Sequence, residues 1–270
     1  MSHRSAPNPG SIGSDDPLKQ YLNACRRALD ELEATQLIPI RAVAARFAET
    51  IARGRLVHLF GTGHSRMTIE EVFPRYGSFP GFHPIVELSM TFHNQVVGAN
   101  GQRQAMFLEN VQGFGPVLWR NFKTDPGDAL LAVSTSGCNA ATIDVALEAK
   151  RLGMFVVALT ALDHARVSTS RHVDGRKLHE VADLTIDHRA PAGDAAVWIE
   201  GLETPVAPLS SVTGCVAVNL IKAEVARLLT KRGLPPKVLT AACHLGAERA
   251  ARLFEETYDD YRARVGVLYR

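Results

Sequence analysis

Hydrophobic residues recur along this chain in two rhythms. From Leu18 they fall at helical spacing, through Leu22, Cys25, Leu29 and Leu32, with Asp16 placed to cap the run and Pro17 at its first position. A second helical run, Ile40 to Ala52, puts Val43, Phe47 and Ile51 on one side, so the pattern predicts an N-terminal helical hairpin. Beyond Arg55 the rhythm changes to short continuous apolar runs: LVHLF at 56–60, PIVEL at about 84–88, ALLAV at 129–133, MFVVAL at 154–159 and DLTID at 183–187. Helical segments separate most of them, and a long helix is expected from about Ser211 to Lys231. Buried strands alternating with helices predict an α/β fold, a doubly wound, mostly parallel five-stranded sheet flanked by helices. In such sheets ligands gather beyond the carboxyl ends of the strands, which directs attention to the residues just after each run. The first fifteen residues, rich in Ser, Pro, Gly and Asp, are expected to form a mobile tail, and residues 16–270 a single domain.

Composition narrows the partners. The chain has 270 residues, 46% hydrophobic and 21% charged, with a formal net charge of +2 that gives no reason to expect nucleic acid or an anionic membrane. Any anion recognition must be local. Cysteines 25, 138, 215 and 243 have neither metal-ligand spacing nor the density of a disulfide scaffold, so a reducing cytoplasm is expected. The opening MSHRSAPNPGSIGSDD has no apolar core of a signal peptide, and no run has the length of a membrane span.

Two strand ends carry candidate chemistry. In LLAVSTSGCNAATI a strand delivers Ser134, Thr135, Ser136 and Gly137 directly to a helix that begins near Asn139. Hydroxyls and unpaired first-turn amides at a helix N-terminus make an anion site. A simple N-cap would use one of these groups, not the whole set. In LVHLFGTGHSRMTIEEVFPRYG the chain passes from a strand through Gly61, Thr62, Gly63, His64 and Ser65 into another helix. Arg66 stands where a dinucleotide fingerprint needs its third glycine, and the final glycine of a nucleophile elbow is missing. A helix starting near His64 would align His64, Thr68, Glu71 and Arg75 on one polar face looking toward the rim of the serine-rich loop. Glu71 with Arg75 as an exposed ion pair is the alternative. No P-loop lysine or HExxH motif occurs, although ten histidines leave a metal site arguable in principle.

The two loops, GTGHS and STSGCNAATI, about seventy residues apart, resemble those of the SIS (sugar isomerase) domain, and the chain from about residue 17 onward resembles the SIS-domain group labelled UPF0309. Further carriers of the likeness are SRHVDGRKLHEVADLTIDHRAPAGDA and PLSSVTGCVAVNLIKAEVARLL. The resemblance implies that Ser134, Thr135, Ser136, Gly137 and Asn139 hold a sugar phosphate, while Ser65 and the Gly61–Gly63 backbone touch the sugar. It implies a carboxylate base at Glu71, with Glu70 as the fallback. His64 joins them in a catalytic role as part of the same polar face. Arg171, His172 and Lys177 enter as anion or hydroxyl contacts, a solvated basic turn being the alternative, and Ser211 and Thr213 as contacts or as caps of the long helix. Two departures stand out: Cys138 where relatives often carry a basic residue, and Cys243-His244-Leu245-Gly246 where they carry Asn-x-x-Gly. His244 is thereby a candidate acid or base, and Cys138 a candidate for a lowered pKa at the helix N-terminus. The expected activity is a phosphosugar isomerase working by C2 proton abstraction, with neither metal nor cofactor, in a cytoplasmic homodimer or higher homo-oligomer. A sugar-phosphate etherase or a non-catalytic sensor are the alternatives. A DNA-binding regulator is disfavoured, because the segment before Arg55 is short and has no basic recognition helix.

Overall fold

A computed structural model describes residues 16–91 and 101–270. The elements in order are α1 (Pro17–Ala52), β1 (Val57–Gly61), α2 (Ser65–Val72), β2 (Phe82–Pro84), α3 (Leu88–Thr91), α4 (Gly101–Leu108), α5 (Phe114–Trp119), β3 (Ala129–Val133), α6 (Ala140–Arg151), β4 (Phe155–Thr160), α7 (Leu162–Val167), α8 (Leu178–Val181), β5 (Leu184–Asp187), β6 (Ala195–Val197), β7 (Val206–Pro208), α9 (Ser210–Lys231), α10 (Ala242–Leu245) and α11 (Ala247–Val265), closed by a 3-10 turn over Gly266–Tyr269. The tail expected over residues 1–15 lies outside the described residues.

The main sheet runs β2-β1-β3-β4-β5, every pair parallel, with β3 at its centre between β1 and β4. Period-two alternation divides its side chains between two cores. Val57, Leu59, Leu131 and Val157 face the side covered by α1, α2 and α9, where Phe47, Ile221 and Val225 are buried. Phe60, Leu130, Ala132 and Val156 face the side covered by α5, α6 and α8, with Trp119, Ile143 and Leu178. Burial on both faces is why these strands read as unbroken apolar runs. A small antiparallel ribbon, β6 with β7, was not foreshadowed in the sequence pattern.

Two expectations are corrected. The N-terminal hairpin is one continuous helix of 36 residues with Pro39 inside it. An internal proline removes one backbone donor, that of its bond to the carbonyl four residues earlier. Here Leu32, Ile40, Val43 and Phe47 lie on a single buried face in the core shared with α9, and that packing carries the helix past the proline. The second strand covers Phe82–Pro84, not 84–88. Pro84 lacks a donor but stands on the sheet's edge strand opposite Leu59, and Ile85 N gives the last ladder bond, to Leu59 O at 2.8 Å.

Candidate functional site

The carboxyl ends of β1 and β3 lie side by side, Gly61 opposite Val133, and a cleft of about 540 Å³ opens above them. One wall is the loop after β3. Its fold is fixed by its own polar groups: Gly137 N donates to Ser134 O at 3.1 Å and to Ser134 Oγ at 3.2 Å, and Cys138 N to Ser136 Oγ at 3.3 Å. Ties to β4 hold it further, Ser134 N to Leu159 O at 3.1 Å and Thr160 Oγ1 to Thr135 O at 3.1 Å. Gly137 takes φ +64°, and a Cβ there would come within 3.1 Å of Thr160 Oγ1, so glycine serves the turn and stands behind the cleft lining. Ser134, Thr135, Ser136 and Asn139 all line the cleft.

Asn139 sits at the N-cap of α6 without capping it by its side chain. Its Oδ1 instead accepts from Arg171 Nη1 at 2.8 Å, and Arg171 N donates to Cys138 O at 2.9 Å. Arg171 therefore enters the cleft beside the serine loop, supplying from the next crossover a cation that position 138 lacks. His172 does not line the cleft. Its ring is clamped between Asp144 Oδ1 at 2.9 Å and Asp174 Oδ1 at 2.5 Å, and Asp144 in turn accepts from Gly113 N and Phe114 N. It anchors the loop that presents Arg171. Lys177 is also turned away, Nζ donating to Ala165 O at 2.6 Å.

The opposite wall comes from the loop after β1. Gly61 packs where a Cβ would lie 3.1 Å from Ser65 Cβ, and Thr62, Gly63, His64, Ser65 and Thr68 line the cleft. Between the walls sits a carboxylate the sequence pattern does not single out. Glu109 follows α4, its backbone carbonyl accepts from Ala141 N in the first turn of α6 at 2.9 Å, and its Oε2 accepts from Thr62 Oγ1 at 2.9 Å. It is thus tied to both strand-end loops at once. The floor is formed by His164 after β4, His188 after β5, Asp194, and Ser210 and Ser211 at the start of α9. Asp194 holds that helix start, accepting from Leu209 N at 3.1 Å, Ser210 N at 2.7 Å and Ser210 Oγ at 2.5 Å. Thr213, one turn on, meets His188 Nδ1 at 3.2 Å.

The expected polar face of α2 meets the cleft rim only through His64 and Thr68. Thr68 packs against Gly214, Glu71 Oε1 accepts from Asn219 Nδ2 at 2.7 Å, and Lys222 Nζ donates to Glu71 O at 3.1 Å, so the face runs down α9. Glu71 pairs with Arg75, which lies beyond the end of the helix, and both line a separate groove with Glu70, Tyr76 and Phe254. Glu70 pairs with Arg66. His244 stands exposed on the four-residue helix α10, outside the cleft. Neither of the expected carboxylates, nor His244, reaches the serine loop.

Burial shapes the titration of the cleft. His188 is pushed down to about 4 by burial, against the pull of Asp187 and Asp194, and is neutral near pH 7. His164 is lowered by burial as well. Cys138 goes opposite to expectation: burial pushes its thiol up, outweighing Lys177 and Arg171. Its Sγ donates to Ser136 O at 3.2 Å, so it packs behind the loop.

The match to known proteins extends through both loops: residues 20–161 match the SIS domain family. The chain belongs to the SIS-domain family. Within it, the UPF0309 protein of Geobacillus thermodenitrificans is 33% identical over 243 residues, 90% of this chain and 95% of that protein. The UPF0309 protein of Listeria monocytogenes is 30% identical over 251 residues, 93% of this chain and 98% of that protein. Among solved structures, a phosphoheptose isomerase from Neisseria gonorrhoeae aligns at a TM-score of 0.49 and 16% identity, over 79% of this chain and 97% of that one. No described helix of this SIS-domain protein is long and apolar enough to cross a membrane.

Proposed function

We propose that this SIS-domain protein binds a sugar phosphate in the cleft and abstracts the proton next to the sugar carbonyl. The observation that carries the reading is the placement of Glu109, a carboxylate tied by its backbone to the helix of the serine loop and by its side chain to the loop after β1. The hydroxyls of the serine loop, the leading amide of α6 at Ala140 and Arg171 suit a phosphate dianion, offering hydroxyl, backbone and guanidinium donors along one wall of the cleft. With the phosphate fixed there, the carbonyl end of an open-chain sugar lies toward Thr62, Ser65 and Glu109. The carboxylate takes the C2 proton, the C2–H electron pair forms the C1=C2 bond of an enediolate as the carbonyl π pair moves onto O1, a proton passes from O2 to O1, and return of the first proton to C1 as C2=O forms completes an aldose–ketose exchange. The same first step followed by loss of a C3 substituent would make an etherase. The reading includes a cytoplasmic homodimer, for which the exposed apolar side chains of Met67 and Val212, beside the cleft-lining Ser211, offer surface.

The test is proton NMR in heavy water with a panel of pentose, hexose and amino-sugar phosphates. Wild type should place deuterium at C2 of at least one of them. Glu109→Gln should slow that exchange by about two to four orders of magnitude while binding changes little. Ligands that bind wild type without any exchange would make the protein a sensor; exchange that survives Glu109→Gln would remove the carboxylate from the reaction.

A further inference from the structure

The serine loop, the start of α6 and Arg171 present donors, which fits an anion and says nothing about the sugar. One group on the cleft floor has the opposite character. His188 is 1% exposed, its backbone N–H is bound to Thr160 O at 3.0 Å, and its Nδ1 lies 3.2 Å from Thr213 Oγ1. Thr213 is on the first turns of α9, and its hydroxyl also lies 3.3 Å from Leu209 O, the carbonyl four residues back. A helical threonine hydroxyl directs its single hydrogen to that carbonyl. Its oxygen then faces the imidazole as an acceptor, and the hydrogen of the neutral ring sits on Nδ1. Nε2 is left with a bare lone pair and makes no hydrogen bond to a described residue, while the ring forms part of the cleft lining.

We infer that His188 is a specificity contact, its Nε2 accepting a hydrogen bond from a hydroxyl or amide N–H of the sugar. The inference rests on the phosphosugar reading and adds which end of the ligand this residue recognises. A phosphate dianion has only acceptors, so it gains nothing from a bare nitrogen; the carbohydrate portion has the donors. A buried acceptor without a partner is unfavourable, so a donor from the ligand is favoured there over an apolar substituent. Glu109 and Asp194, the carboxylates of the cleft, already accept from Thr62 and from the start of α9. Nothing in this role requires His188 to gain or lose a proton. It selects; it does not react.

Three measurements on the full chain decide the matter. In the ligand-free wild type, two-bond proton–nitrogen correlation spectra of ¹⁵N-histidine-labelled protein should show His188 as the Nδ1–H tautomer; an Nε2–H pattern would overturn the inference without any ligand being known. Calorimetry should compare inorganic phosphate with a panel of pentose, hexose and amino-sugar phosphates. His188→Asn keeps an amide donor for Thr213 and deletes the nitrogen facing the cleft, so the gain in affinity of the best sugar phosphate over inorganic phosphate should shrink about tenfold. His188→Gln, with an amide oxygen available near the lost nitrogen, should recover part of it, and inorganic phosphate should bind all three proteins alike. If the gain persists in His188→Asn, the inference fails and the phosphosugar reading stands. If wild type prefers no sugar phosphate to inorganic phosphate, both fall.

Discussion

Ser134 and Ser136 hold the shape of their loop through Gly137 N and Cys138 N and also line the cleft, so their removal costs both a ligand contact and some preorganisation. Ser134→Ala combined with Ser136→Ala should weaken binding of a sugar phosphate by one to two orders of magnitude, at about 1 kcal/mol per lost hydrogen bond, which calorimetry reads directly. Unphosphorylated sugar should be little affected. Cys138 illustrates how burial overrides a helix N-terminus. The residue is 1% exposed and its thiol is shifted up, whereas Cys243 is exposed. Maleimide labelling followed by peptide mass spectrometry should find Cys243 modified first and Cys138 last in the folded protein; rapid labelling of Cys138 would contradict the packing described for it.

At the scale of elements, the loop carrying Arg171 depends on His172 as a hinge pin between Asp144 and Asp174. His172→Ala should lower phosphate affinity severalfold by loosening that loop, with the fold intact by circular dichroism, whereas a residue that only filled space would leave calorimetric affinity unchanged. In α1, Pro39→Ala restores a donor to Thr35 O within a continuous helix and should raise stability by roughly 1–3 kcal/mol, measured as a higher urea midpoint with unchanged slope. The strands were legible because burial on both faces makes their sequences uniformly apolar, and the serine loop because it follows such a run immediately. The continuity of α1 was hidden because local propensity at Pro39 points to a break, while contacts with α9, almost 200 residues distant, decide otherwise. Glu71 was misplaced for a related reason: α2 has only eight residues, and its rotation is set by Thr68 meeting Gly214 and Glu71 meeting Asn219. His188 follows β5 directly and His164 lies in the first turn of α7 after β4, and the strand-end rule used for β1 and β3 would have found them had it been applied there. Glu109 carries no local signal, since its position depends on Ala141 and Thr62 coming together in space.

For the molecule as a whole, buried neutral histidines tie stability to acidity. His188 is pushed down to about 4 and His83 to about 3, in each case by burial, with neighbouring His58 adding to the shift at His83. The unfolded chain binds those protons near pH 6.5 and the native chain does not, so their contribution is full above that pH and is lost as pH falls toward about 4 and about 3. Between these limits each group should lower unfolding free energy by up to about 1.4 kcal/mol per pH unit, and urea midpoints at pH 7, 6 and 5 should fall in turn. In His188→Asn the decline should be shallower by about one proton's share. The course of α1 bears on how the protein is handled at the bench. A helix of 36 residues spans about 54 Å. Its first turns touch the ribbon next to the cleft, Tyr21 Oη donating to Pro208 O and Trp198 N to Gln20 Oε1, while its last turn meets Arg264, near the chain's final residues. An affinity tag or sensor-chip tether fused ahead of Asp16 would therefore emerge beside the ligand entrance and crowd it. One fused after Arg270 would emerge at the far end of the sheet, and ligand association measured on a C-terminally tethered chip should match that in free solution.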